Sequence, residues 1–241
     1  MPVFRLRLDF MEFPPVTLSE PDGLLAVGGD LSVKRLLLAY RSGVFPWYDE
    51  NAPICWWAPD PRMLFMPGGV HVSRSLLRVL RSGRFRLTAD AAFGRVVQCC
   101  AETPRGGQNG TWILPEMARA YGRLFSEGHA HSVECWEGDT LAGGLYGVAI
   151  GGCFFGESMF HHRTDAGKAA LAALSVHCEL WGYGFIDAQM PTPHLKRMGG
   201  LEISRLAYMK LLRDGLRKQG KPGPWTLEPG WVDRLEKVRE A

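Results

Sequence analysis

The feature that most constrains the fold is residues 131–160, HSVECWEGDTLAGGLYGVAIGGCFFGESMF. Its apolar runs break at a Gly-Asp pair (138–139) and at a Gly-Gly pair (151–152), which favour tight turns between antiparallel strands. The Ala- and Leu-rich residues 164–184 predict a buried helix, and FIDAQM, which begins at Phe185, predicts a further strand. A strand meander, a helix and one more strand indicate an α+β fold with a mixed, largely antiparallel sheet.

The N-terminal part of the chain differs from the rest in composition. It is rich in Pro, Gly and Trp, and the prolines at 46, 53, 59 and 61 forbid long regular structure. We therefore predict a small N-terminal domain over residues 1–62 and a main domain over residues 63–241. Helices are predicted at 73–82 and at 115–127.

Two polar side chains interrupt the strand predicted at FIDAQM. Because strand side chains alternate between faces, Asp187 and Gln189 share one face. Such a pair either lies on an edge that faces water or meets a ligand. The preceding hairpin also ends in polar residues, Glu157 and Ser158, so we expect the two strands to converge on one polar site. The apolar residues beside that site are Phe154, Met159 and Phe160.

Arginine is concentrated in one segment of the chain. Residues 62–95 contain seven arginines, no lysine and a single acidic residue, Asp90. Arg74, Arg78 and Arg81 have the spacing of one helix face, and guanidinium groups make forked contacts to phosphate oxygens. This arginine face fits a polyanionic partner and fits a merely solvated surface equally well.

The sequence lacks the motifs of several common sites and of membrane or secreted proteins. The six cysteines have no CxxC spacing and the paired histidines lack a third ligand, so we expect no metal. GESMF lacks the second glycine of a hydrolase elbow, and DAGKAA does not match a phosphate loop. No run approaches the roughly 18 apolar residues of a membrane span, and the N-terminus lacks a signal-peptide core. A cytoplasmic protein without membrane contact is predicted, and a monomer fits the lack of an obvious exposed apolar helix.

Five longer motifs resemble a single family. They are FPPVTLSEPDGLLAVGGDLS, GVFPWYDENAPICWWAPDPR, GTWILPEMARAYGRL, LAGGLYGVAIGGCFFGESMF and GFIDAQMPTPHLKRMGG, and all of them lie within residues 13–208. In these motifs the chain resembles the bacterial leucyl/phenylalanyl-tRNA protein transferases. The resemblance implies a small N-terminal domain followed by a GNAT-like acyltransferase domain that uses no cofactor. It also implies transfer of Leu, Phe or Met from aminoacyl-tRNA to a protein beginning with Arg or Lys, which marks that protein for degradation.

The resemblance further implies which residues form the site. Asp187 and Gln189 match a pair with catalytic roles, and Glu157 matches a further active-site position. Two tryptophans, Trp47 and Trp112, match active-site positions as well. The pocket for the transferred side chain would be lined by Leu145, Phe154, Met159, Leu174 and Ile186. The acceptor stem that carries the 3′ aminoacyl adenosine would be held through phosphates by Arg74, Arg78, Arg81 and Arg84.

The chemistry expected of such a site is mainly positioning, because an aminoacyl-tRNA is already an activated ester. We hypothesise that Asp187 polarises Gln189, whose carbonyl accepts an N–H of the incoming amine. Glu157 would favour a cationic first residue by charge pairing, or alternatively fix the strand or the aminoacyl group.

Two other functions remain open on the sequence alone. A CoA-dependent N-acetyltransferase would have a similar core, but it needs a glycine-rich pyrophosphate loop where this chain has RTDAGK, with Ala166 and Lys168 in place of glycines. A non-catalytic RNA-binding module accounts for the arginine face but gives no reason for a polar cluster beside an apolar pocket.

Overall fold

The computed structural model describes residues 3–103 and 113–237. Within these two ranges the chain forms a four-stranded and a seven-stranded sheet. The strands are β1 (Phe4–Leu6), β2 (Leu24–Gly28), β3 (Phe45–Pro46), β4 (Cys55–Trp57), β5 (Arg62–Phe65), β6 (Arg86–Ala89), β7 (Ala130–Glu137), β8 (Thr140–Ile150), β9 (Cys153–His161), β10 (Phe185–Gln189) and β11 (Leu201–Ile203). The helices are α1 (Val33–Arg41), α2 (Arg74–Arg81), α3 (Phe93–Glu102), α4 (Pro115–Ser126), α5 (Ala166–Leu180), α6 (Pro193–Arg197), α7 (Arg205–Leu216) and α8 (Arg234–Lys237).

The four-stranded sheet lies in the N-terminal part of the chain and has the order β1-β2-β4-β3. The helix α1 follows β2, and the hydroxyl of Ser32 closes its first turn by accepting a hydrogen bond from the N–H of Arg35. The buried face of α1 carries Tyr40, whose ring centroid lies 5.1 Å from that of Phe155 on β9. This helix therefore brings a tyrosine hydroxyl into the main domain.

The seven-stranded sheet has the order β11-β5-β10-β9-β8-β7-β6. Its neighbouring strands are antiparallel except β9 and β10, which are parallel. The predicted meander is confirmed as β7, β8 and β9, with turns at 138–139 and 151–152. The parallel pairing of β9 with β10 ends where Phe155 faces Asp187. Beyond that point the two strands frame the candidate site.

Helices cover both faces of the large sheet, because apolar side chains alternate along its central strands. Tyr146 and Phe155 pack into a core with α1, α3, α4 and α7. Their neighbours Leu145 and Phe154 pack into a second core with α2 and α5. The close approach of α5 requires Gly143, since a Cβ atom there would lie 2.7 Å from the Cβ of Ala166. The central strands are thus held between two apolar layers.

The strand β10 departs from the regular alternation expected of FIDAQM. Its register against β5 shifts between Asp187 and Gln189, and Gln189 has a left-handed backbone with φ of 62°. A bulge of this kind turns the following side chain away from the position that regular pleating gives it. The orientation of Gln189 is consequently set by the bulge.

The α+β class with a mixed, largely antiparallel sheet is confirmed by this strand order. The predicted helices at 73–82 and 115–127 correspond to α2 and α4. The domain boundary predicted between residues 62 and 63 falls inside β5, so division at that residue stays a prediction. Among the residues described, we find no helix with the length and apolar character needed to cross a membrane.

Candidate active site

A cavity of about 210 Å³ opens where β9 and β10 separate. The five side chains predicted to form an apolar pocket all line it, together with further residues from β5, β8, β9, β10, α5 and α6. Within residues 3–103 and 113–237 the lining consists of Phe65, Leu145, Tyr146, Phe154, Gly156, Glu157, Ser158, Met159, Leu171, Leu174, Ile186, Asp187, Ala188 and Leu195. The cavity is apolar over most of its wall and meets two carboxyl-bearing residues at one end.

Asp187 is fully buried, and its carboxylate is occupied by protein donors. The guanidinium of Arg62 donates to both oxygens, with 2.7 Å between Nη2 and Oδ2. The hydroxyl of Tyr208 donates to Oδ2 over 2.8 Å, and the backbone N–H of Gln189 donates to Oδ1 over 2.8 Å. Asp187 therefore fixes the backbone of the bulge.

Arg62 is buried as completely as its partner and links the two parts of the chain. Its guanidinium carbon lies 4.7 Å from the ring centroid of Phe45 and 4.6 Å from that of Tyr208. Burial by itself would lower the pKa of Arg62, but the nearby Asp187 and Tyr208 outweigh it and raise that pKa above its usual value. The arginine stays charged, so the pair is a buried salt bridge between β5 and β10.

The side chain of Gln189 is held by Glu157 and not by Asp187. Its Nε2 donates to Oε1 of Glu157 across 3.0 Å. The hypothesis that Asp187 polarises the amide of Gln189 directly is therefore wrong in its geometry, because Asp187 reaches only the backbone N–H of that residue. With Nε2 engaged by the carboxyl, Oε1 of Gln189 is the amide atom suited to accept a hydrogen bond from a substrate.

Glu157 is buried among hydroxyl groups. Tyr40 donates to its Oε1 over 2.8 Å, the hydroxyl oxygen of Tyr121 lies within hydrogen-bonding distance of its Oε2, and the two tyrosine oxygens lie 2.6 Å apart. Burial raises the pKa of Glu157 to about 7, against the opposing effect of the two tyrosine hydrogen bonds. Glu157, which the sequence analysis treats as a charged carboxylate, thus titrates near neutral pH.

Of the two predicted tryptophans, Trp47 is not among the residues that line this cavity. Trp47 is half-buried beside the four-stranded sheet, with its ring 5.6 Å from that of Trp57 in an edge-on arrangement. Trp112 lies outside the described residues. Roles for both stay predictions.

The four predicted tRNA-binding arginines are exposed on and just after α2. Arg74, Arg78 and Arg81 belong to the helix, which packs on the same core as α5. The Nε atom of Arg84 lies 2.7 Å from Oε1 of Glu137. Part of the positive charge expected at this face is accordingly balanced within the protein.

Four residues of the site were not identified from the sequence: Arg62, Tyr40, Tyr121 and Tyr208. Arg62 stands at the predicted domain boundary and was counted only as part of the local positive charge. The tyrosines occupy buried positions of amphipathic helices, where their rings are indistinguishable from ordinary core residues. A tyrosine on a buried helix face needs a hydrogen-bond partner for its hydroxyl. That requirement is the one feature of the sequence that could have pointed to these three tyrosines.

Comparisons with known proteins agree on one family. The family model described as leucyl/phenylalanyl-tRNA protein transferase matches residues 64–213, and the one described as its N-terminal domain matches residues 29–60. The leucyl/phenylalanyl-tRNA protein transferase of Solidesulfovibrio magneticus is 52% identical over 227 residues, which cover 94% of this chain and 92% of that protein. Its counterpart in Alkalilimnicola ehrlichii is 51% identical over 234 residues, covering 94% and 90%.

Similarity to solved structures is much weaker. A GCN5-related N-acetyltransferase from Kribbella flavida aligns with a TM-score of 0.36 and 12% identity, over 70% of this chain and 60% of that one. A superposition of this quality supports no inference about activity.

Proposed function

The chain belongs to the leucyl/phenylalanyl-tRNA protein transferase family, and on that basis we propose that it transfers leucine, phenylalanine or methionine from aminoacyl-tRNA to proteins beginning with Arg or Lys. It is an aminoacyltransferase. The observation that best supports the proposal is the apolar cavity that ends at Glu157 and Asp187, with Gln189 held beside them. In this proposal the product carries a degradation signal and the protein acts in the cytoplasm as a monomer.

The cavity has the size and lining expected of a pocket for one amino-acid side chain. Its volume of about 210 Å³ is below the roughly 300–1,000 Å³ of pockets that enclose whole small molecules. Leu145, Leu174 and Ile186 offer apolar contact to an unbranched or γ-branched chain. A pocket of this type discriminates by about 1–3 kcal/mol per methylene, enough to prefer Leu, Phe and Met without excluding all others.

The reaction requires little acid or base catalysis. The α-amine attacks the ester carbon, an N–C bond forms, the bond to the 3′ oxygen breaks, and the proton lost by nitrogen replaces the bond at that oxygen. An α-amine has a pKa of about 7.7–8.0, so a useful fraction is neutral at physiological pH. We propose that Oε1 of Gln189 accepts an N–H of the neutral amine and directs its lone pair at the ester carbon.

Asp187 and Glu157 then act as positioning residues for Gln189. Asp187, fixed by Arg62, holds the left-handed backbone of the bulge, and Glu157 holds the side-chain nitrogen. This division of roles replaces direct polarisation by Asp187. It predicts that loss of either contact lowers turnover more than the affinity for tRNA.

Selection of Arg or Lys at the acceptor terminus follows from the family resemblance. The sequence-based hypothesis assigns this selectivity to Glu157, but its oxygens are already engaged by Tyr40, Tyr121 and Gln189. Comparing wild type and Glu157→Gln on peptides that begin with Arg, Lys and Ala separates the two roles. An equal change for all three peptides removes Glu157 from selectivity.

The rival N-acetyltransferase function is disfavoured by the start of α5. A pyrophosphate would lie at the N-terminus of this helix, where the chain carries the carboxylate of Asp165, paired with Lys168 at 2.9 Å. The proposed function is tested by measuring transfer of labelled leucine from charged tRNA to an Arg-initiated peptide, beside acetyl-CoA as donor. Transfer that requires charged tRNA supports the proposal, and acetyl transfer without leucine transfer overturns it.

A further inference from the structure

The contacts among Glu157, Tyr40 and Tyr121 form a closed triangle of oxygen atoms. Tyr40 and Tyr121 are 2.6 Å apart, Tyr40 is 2.8 Å from Oε1 of Glu157, and Tyr121 contacts Oε2 of the same carboxyl. All three side chains are buried. Each close contact between two oxygen atoms requires a proton between them, since two facing lone pairs repel.

The protons available from the tyrosines do not suffice for the triangle. The two hydroxyl groups supply two protons for three contacts. Burial alone is the largest cause that holds the pKa of both Tyr40 and Tyr121 well above the usual value, so both keep their protons. Gln189 adds a donor to Oε1 but places no proton between the three groups. The third proton has one remaining source, the carboxyl group.

We propose that Glu157 is a neutral carboxylic acid in the active enzyme, and that it closes a ring of three hydrogen bonds with Tyr40 and Tyr121 to position Gln189. In this ring Oε2–H donates to Tyr121, Tyr121 donates to Tyr40, and Tyr40 donates to Oε1. Oε1 also accepts from Nε2 of Gln189, so the same ring fixes the amide that contacts the substrate. Tyr40 and Tyr121 are thereby positioning residues for the reaction.

The charges around the ring explain why a neutral carboxyl suits this reaction. Asp187 on β10 and Arg62 on β5 form a compensated pair beside it, and among the described residues Tyr146 on β8 is a further titratable neighbour. Ionisation of Glu157 would therefore add an uncompensated negative charge at the end of the cavity. That charge would favour the unreactive ammonium form of the acceptor and oppose negative charge developing on the ester oxygen.

A second buried carboxyl group in the same sheet provides a matched comparison. Glu134 on β7 is fully buried and accepts hydrogen bonds from the hydroxyls of Thr88 and Ser132. Those two contacts are satisfied by the two hydroxyl protons, so no carboxyl proton is needed. Glu134→Gln is thus a control for removing a buried carboxyl group as such.

The protonation state can be tested without any substrate. The infrared difference spectrum between pH 6 and pH 8.5 is expected to show the C=O band of a protonated carboxyl in wild type and in Glu134→Gln, and to lack it in Glu157→Gln. If Glu157→Gln does not fold, Tyr121→Phe serves instead, and the band should shift because its hydrogen-bond partner is lost. The inference is overturned if wild type lacks this band. It is also overturned if the band is the same in Glu157→Gln and in Tyr121→Phe as in wild type.

The effect on catalysis rests on the proposed function and is read from the pH profile of leucine transfer. Wild-type kcat/KM should rise with the neutral amine, level off between about pH 7 and 8, and fall roughly tenfold by pH 9, because the ring loses its proton. Glu157→Gln, which keeps a donor at one atom and an acceptor at the other, should give a pH profile of kcat/KM without the alkaline fall. A wild-type rate that keeps its maximum at pH 9, or a variant inactive at every pH, overturns the proposed role. Absence of leucine transfer in all proteins despite the infrared band refutes the proposed function instead.

Discussion

Arg62 donates from Nη2 to Oδ2 of Asp187 across 2.7 Å, in a salt bridge that is buried at both ends. The pair joins β5, where the small N-terminal sheet gives way to the main sheet, to the strand that carries Gln189. Ring faces of Phe45 and Tyr208 enclose the guanidinium, so water cannot readily replace the carboxylate. The geometry of the bulge at Gln189 thus depends on a contact between residues 125 positions apart.

Removing the carboxylate of this pair is expected to be costly. Asp187→Asn should lower the free energy of unfolding by about 3–5 kcal/mol, because Arg62 is left charged and buried. The matched control is Glu137→Gln, which breaks the exposed pairs with Arg84 and Arg163 and should cost no more than about 1 kcal/mol. Urea unfolding measures both, and equal costs would show that the buried pair contributes nothing specific.

The elevated pKa of Glu157 makes stability depend on pH. Between about pH 4.5 and 7 the folded protein holds a proton that the unfolded chain has released, so the free energy of unfolding falls as pH rises. The loss attributable to this group is on the order of 3 kcal/mol. The difference between the free energies of unfolding of wild type and Glu157→Gln, measured in urea at each pH, isolates this loss. A difference that does not change across this window would contradict the assignment.

Enlarging the cavity should change the choice of donor. Leu174→Ala is expected to raise transfer of phenylalanine relative to leucine, since the shortened side chain lengthens the pocket. The control is Leu124→Ala on α4, an equally buried leucine outside the cavity lining. Both variants should lose about 2–5 kcal/mol of stability. If the ratio of phenylalanine to leucine transfer shifts equally in both variants, Leu174 does not determine the selectivity of the pocket.

The arginine face should affect tRNA binding in a manner that salt reveals. Replacing Arg74 and Arg78 by Ala should weaken tRNA affinity and reduce the slope of log K against log salt by about 1 per arginine. The control removes two exposed basic residues of α7, Lys210 and Arg213, which have the same total charge. Titrations at several salt concentrations measure both slopes. If the slope falls equally in the two proteins, the effect comes from net charge, and contact of α2 with the tRNA is not supported.

Much of the fold could be predicted because its signals are local. Glycine-containing turns marked the meander, and periodicity marked α2, α4 and α5. Four of the five predicted pocket residues lie on strands and reach the face covered by α5, which carries the fifth, Leu174. Phe154 and Met159 share that face because the register of β9 against β8 shifts between them, and regular alternation would have put them on opposite faces. Their role in binding a side chain stays a prediction.

The polar half of the site could not be predicted in the same way. Tyr40 and Glu157 are 117 positions apart, and the helix pattern around Tyr40 shows only a buried face. The orientation of Gln189 depends on a left-handed residue at a bulge, whereas the sequence suggests an uninterrupted strand. Long-range hydrogen bonds and a local break in strand register arise only in the assembled sheet. They cannot be predicted from the residues FIDAQM alone.

The most direct test of the proposed site is the single-turnover rate of leucine transfer from charged tRNA to an Arg-initiated peptide in Gln189→Ala. The control is Gln98→Ala, which removes an exposed glutamine that pairs with Glu102 on α3. The rate should fall by about 10²-fold in Gln189→Ala with tRNA affinity unchanged, because positioning of the amine is lost, and the control should keep the wild-type rate. A wild-type rate in both variants would contradict the assignment of Gln189 as the residue that directs the amine.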